Sequence, residues 1–173
     1  MRCLTLFLSI LALSVPGAMA QKNNCQRFTG TIKATFIVAV LEWQGEAEVT
    51  IGKGQPMTGT TTTTGEKLIK GDPNDLTRPY SGLEKTTITL PDGKIVLETR
   101  FVVPPRLDPT LVWWVNETGS IQPAEGAEGK FAAIHGRVTI HGPFGPAVPM
   151  AVPPPEGVLG WIGEINGTIC GVD

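Results

Sequence analysis

The sequence predicts an all-β protein, a single antiparallel barrel of about eight strands, with a two-sheet β-sandwich as the alternative. Three observations lead there. Past residue 20, the 173-residue chain is a succession of short runs in which apolar and polar residues alternate, the period-2 signature of a strand with one dry and one wet face. These runs are separated by clusters of Gly, Pro, Asp and Asn, and no segment carries apolar residues at three-and-four spacing. Finally, one cysteine opens the first run and another closes the last, as neighbouring strands of a closed sheet would allow.

Residues 1–20 come first. Arg2, an apolar core from Leu4 to Val15, a Pro16-Gly17 break and the small-residue pattern Ala18-Met19-Ala20 predict a signal peptide cleaved before Gln21. The expected product is a secreted protein, extracellular or periplasmic. The apolar run is too short for a mature membrane span, and Cys25 sits too far from the cleavage point to carry a lipid, so no membrane anchor is expected. Residues 21–173 then form one domain of 153 residues, enough for a substantial core. Without Arg2 the domain has 13 Lys and Arg against 16 Asp and Glu, with the basic residues scattered. Nucleic acid is therefore excluded as a partner on electrostatic grounds.

Phe28 to Leu41 alternates first, then turns apolar on both sides from Ile37 onward, predicting a strand whose second half is covered on both faces. Trp43 to Ile51 alternates cleanly and ends in the GKGQP turn. Thr58 to Thr64 is a β-branched run and so extended by preference. The GDPNDLTRP loop follows. Thr86 to Leu90 and Lys94 to Val103, joined by Pro91-Asp92-Gly93, form a hairpin. Leu111 to Ile121 holds Trp113-Trp114. In GAEGKFAAIHGRVTIHG, at 126–142, Ile134, Val138 and Ile140 share one parity with Gly136, while His135, Arg137, Thr139 and His141 share the other. Gly142-Pro143 is expected to end that ladder, since proline has no N–H to give. A proline-rich loop, Pro143 to Gly157, leads to the last strand, Val158 to Cys170. From these phases Ile95, Leu97, Phe101, Val138, Ile140, Trp161 and Ile165 are predicted to be core.

Eight strands are what close a barrel wide enough for packed side chains or one small ligand. Cys25 and Cys170 are the pair left after processing, and both fall on the polar phase of their strands, which predicts a disulfide between chain start and chain end. A zinc site is not expected. His135 and His141 are six residues apart on one strand, about 20 Å, and cannot share an ion.

The glycine-bracketed GAEGKFAAIHGRVTIHG, with the final GWIGEINGTI, is similar to the allene oxide cyclase and dirigent type of small secreted β-barrel. The similarity covers about a third of the domain, and Ile134 and His135 stand where that pattern has small residues before Gly136. The resemblance implies an eight-stranded barrel with an apolar cavity and no cofactor, and either ring-closing isomerase chemistry or steering of a reactive intermediate. It carries over no catalytic residue.

Read directly, His135 beside Arg137 is the candidate catalytic pair, a general base next to a cation able to stabilise an oxyanion; two polar residues on a wet strand face is the alternative. Glu46 and Glu48, about 7 Å apart along one face, have a spacing near that of glycosidase acids but read better as solvated exterior. Ser81 and Ser120 lack a nucleophile-elbow context. Trp113, Trp114, Phe144 and Met150 are the candidate ligand-binding residues, with entry under the Pro143 to Gly157 loop. Asn116 and Asn166 head glycosylation sequons that apply in a eukaryotic host. Two functions stay open: a secreted barrel that binds an apolar small molecule, and as an isomerase or cyclase converts it, or a non-catalytic barrel with a filled core that binds a partner.

Overall fold

The computed structural model describes residues 24–37, 39–75, 77–106, 112–146, 148 and 159–172; the predicted signal segment, Met150 and most of the proline-rich loop lie outside them. Eight strands run in chain order: β1 (Gln26–Ile37), β2 (Glu42–Ile51), β3 (Met57–Lys70), β4 (Tyr80–Leu90), β5 (Gly93–Val103), β6 (Trp113–Pro123), β7 (His135–Gly145) and β8 (Gly160–Cys170). Each pairs antiparallel with the next and β8 pairs with β1, closing the sheet into a barrel. The barrel, not the sandwich, is the fold. Closure leaves no edge strand with unpaired backbone groups.

Cys25 and Cys170 are bonded, with Cα atoms 4.0 Å apart. The register explains the meeting: Gln26 faces Ile169 across the β1–β8 ladder, so the two cysteines fall opposite each other one step further on.

Alternation fills the lumen. Phe28, Ile32, Val49, Ile88, Ile95, Leu97, Ile121, Val138, Ile140, Ile165 and Ile169 are all buried inside. One end of the barrel is plugged by Phe131, delivered by a short 3-10 turn at Gly129–Phe131, together with Ile134. Lumen-facing glycines let neighbouring backbones approach. A Cβ at Gly136 would stand 2.0 Å from the Thr168 carbonyl oxygen, and one at Gly119 the same distance from that of Glu98, so a side chain there would push β7 from β8 or β6 from β5. Such glycines let a small sheet curl tightly.

Several expectations are corrected. β1 stops at Ile37, and Val40 and Leu41 are exposed rather than covered, because residues 39–41 form a turn in which Leu41 has a positive φ of 55°. β3 continues to Lys70 and β4 begins at Tyr80, well before Thr86. β7 runs through Gly142-Pro143 to Gly145, since Pro143 keeps its place opposite Trp114 in β6, while the β7–β8 ladder skips from His141 to Phe144. The missing N–H therefore interrupts one ladder without ending the strand. Phe101 faces the lumen as its phase requires but is half-buried, because it sits near the barrel's unplugged end.

Candidate functional site

At the end opposite Phe131, the lumen is built differently. The first inward residues of β2, β4 and β8 there are Trp43, Tyr80 and Trp161, and the last of β5 and β7 are Phe101, Val103 and Phe144. The rings touch in sequence: Phe36 to Trp43 at 5.3 Å between centroids, Trp43 to Trp161 at 6.1 Å, Trp113 to Phe144 at 5.2 Å and Tyr80 to Phe101 at 5.9 Å. Tilted and edge-on contacts of this kind match the ring quadrupoles. Trp43, Tyr80, Phe101, Phe144 and Trp161, with Val103 and Val115, line a pocket of about 90 Å³.

Two carboxyls, Glu84 of β4 and Glu117 of β6, also line it. Both are buried, Glu117 to 3% exposure, and Thr99 of β5 stands between them, its Oγ1 3.3 Å from Glu84 Oε1 and 3.2 Å from Glu117 Oε2. The intervening strand positions the trio: Thr99 lies directly opposite Glu84 in the β4–β5 ladder, and Glu117 reaches across from two residues along β6, beside the space left by Gly119. Further inward-facing hydroxyls extend the polar side of the lumen, with Thr63 and Thr86 hydrogen-bonded at 2.7 Å. The buried polar residues of the lumen thus lie on β3 to β6, among apolar ones, while β7, β8, β1 and β2 turn apolar residues inward.

Burial raises the pKa of both carboxyls, and Glu117 is pushed furthest, first by desolvation and then by the neighbouring Glu84 charge. Of the two, Glu117 is the carboxyl whose proton is held more firmly. Thr99 has one hydroxyl proton and can donate to one of the two at a time. Two acids this close in a buried site are not both ionised at once, as two like charges there would be costly. Among the described residues neither carboxyl forms an ion pair with Lys, Arg or His. Tyr80, above the pair, also has a raised pKa, mainly through burial. Arg106 stacks over the Tyr80 and Trp113 rings at 5.1 and 5.5 Å and donates to the Pro73 carbonyl.

No family model, no curated protein and no solved structure matches this chain. The site's geometry is therefore what bears on function.

Of the candidate ligand-binding residues, the structure brings Phe144 to the pocket and sets Trp113 half-buried against it. Trp114 points the other way and is 56% exposed on the barrel exterior, while Met150 lies outside the described residues. His135 and Arg137 are exposed on the outer face, bordering an open groove with Gln122, Thr168 and Cys170. The barrel wall separates them from the lumen. His141 is likewise outside, 3.4 Å from Glu164. Glu46 and Glu48 are exposed, as are Asn116 and Asn166 at the two sequons. Among the described residues no group of three or more His, Cys, Asp or Glu could hold a metal.

Sequence reasoning passed over Glu84 and Glu117. The signal was present in β6: in WWVNETGSI, Val115 and Ile121 share a parity with Glu117, which places one acid on the dry side of an otherwise regular strand.

Proposed function

We propose that this is a secreted barrel that binds a small, mostly apolar molecule at the unplugged end of its lumen, with Glu84 and Glu117 as the polar anchor. The observation that carries the reading is the buried acid pair on an aromatic-lined pocket. Burying a carboxyl without a cationic partner costs free energy, and perturbed acids gathered in a cavity are candidates for a functional site. The Cys25–Cys170 bond supports an oxidising compartment. When one of the two is ionised, the pair has both an acid and a base within reach of a bound molecule. Proton transfer of the sort that isomerisation or cyclisation needs is chemically open to it.

The test is a thermal-shift and calorimetric screen of small apolar alcohols and ketones against the protein and against Val115→Phe, which fills the pocket. Saturable binding that Val115→Phe abolishes, without unfolding, supports the reading; binding that survives the filled pocket places the ligand elsewhere.

One observation favours the second reading, a filled barrel whose exterior binds a partner. About 90 Å³ is well under the roughly 300 Å³ at which drug-sized ligand pockets begin. A site of that size suits a small molecule or one end of a larger one. If no small molecule binds, the exterior carrying Trp114 becomes the place to look.

A further inference from the structure

We infer that the ligand of this pocket is a small amine that also carries an acceptor oxygen, the protonated nitrogen bound to the Glu84–Glu117 pair and the oxygen bound to the Trp161 indole N–H. The inference rests on the lumen end being a binding site, as proposed above, and names the chemistry of what it takes.

Two independent observations lead to it. The first is charge. Ionising either carboxyl puts a negative charge in the pocket with no side-chain cation paired to it, since the ion pairs among the described residues, Arg78–Asp75, Lys130–Asp92 and His141–Glu164, all lie elsewhere. Arg106 lies beside the pocket's Tyr80, its guanidinium stacked on Tyr80 and Trp113 and bonded to Pro73. The titratable groups lining the pocket are Glu84, Glu117 and Tyr80, none of them a cation. What surrounds the acids instead is a set of rings, Trp43, Tyr80, Phe101, Phe144 and Trp161. Aromatic faces attract an organic cation through their quadrupoles, and more strongly when the site is dry. Carboxylates with ring walls are the chemistry that recognises a substituted ammonium, and the small volume limits it to a compact head group.

The second observation is a donor. Trp161 is 3% exposed and lines the same pocket, and its Nε1 has no hydrogen-bond partner among the described residues. Buried indole N–H groups are ordinarily paired. An ammonium has donors alone and leaves this group unanswered. An acceptor oxygen on the same small molecule answers it, and a hydroxyl satisfies the indole while the nitrogen satisfies the acids.

The experiment compares two probes of nearly the same shape by calorimetry at neutral pH: N,N-dimethylethanolamine, protagonist of the charge argument as its ammonium, and 3-methylbutan-1-ol, in which a CH replaces the charged N–H. The expected result is binding of the ammonium about tenfold or more tighter than the alcohol. The preference should vanish in Glu84→Gln, and Trp161→Phe should weaken both probes severalfold, since each carries the hydroxyl. Lowering the pH should protonate the second carboxyl and weaken the ammonium alone. Equal affinity for the two probes would overturn the inference while leaving a neutral apolar site intact. Binding of neither would overturn it together with the reading on which it rests. The central comparison uses the unaltered protein and does not depend on a variant folding.

Discussion

Glu117 is where burial and charge conflict most. Its pKa is raised in the folded protein, so the folded state holds a proton that the unfolded chain gives up at lower pH. Stability from this group is present below the ordinary glutamate range and is lost as pH rises through the raised folded value. Glu117→Gln keeps the shape and cannot ionise. The variant is expected to unfold at a higher urea midpoint than the parent at neutral and alkaline pH and to show a flatter dependence of midpoint on pH; an unchanged slope would mean that the acid pair is not buried. Leu97 and Phe101 share a strand and a phase but not an environment. Leu97 is fully enclosed, so Leu97→Ala should cost about 2 to 5 kcal/mol, whereas Phe101 is half-buried at the pocket and Phe101→Ala should cost less than its size suggests. Denaturant melts of the two variants compare them directly.

At the scale of the strand, the glycines are as decisive as the apolar residues. Gly119→Val would set a Cβ 2.0 Å from the Glu98 carbonyl oxygen, so it should force β6 away from β5 and destabilise by about 2 kcal/mol or more; a neutral result would mean that the two strands can part without loss. Strands whose parity is clean, such as β2 and β7, were legible because apolar and polar residues alternate without exception near their centres. β4 was legible from Thr86 onward and not before. In YSGLEK the apolar Leu83 faces out and the acidic Glu84 faces in, which reverses the parity that identifies a strand. β6 does the same with Trp114 outside and Glu117 inside. The residues that hid these strand phases are those of the candidate site, which is where local rules are expected to break. His135 and Arg137 attracted notice for their chemistry, but their phase already matched the wet face of β7.

For the whole molecule, closure of the barrel and the bond between its ends are linked. The barrel prediction rested on strand count and on the cysteines, which open the first strand and close the last on matching phases, and the β1–β8 register brings them together. The disulfide closes a span of 145 residues, so replacing both cysteines with serine should lower unfolding free energy by about 5 kcal/mol if chain entropy dominates, measured by denaturant titration. The resulting barrel has one plugged end and one that carries a polar, ring-lined pocket. That asymmetry, the central claim, is tested most directly by following the four tryptophan indole N–H resonances by ¹H–¹⁵N NMR during titration with 3-methylbutan-1-ol or N,N-dimethylethanolamine. The account predicts saturable shifts at Trp43 and Trp161, with Trp161 moving furthest and Trp114 on the outer wall unmoved. Shifts confined to Trp114, or none at any of the four, would contradict it.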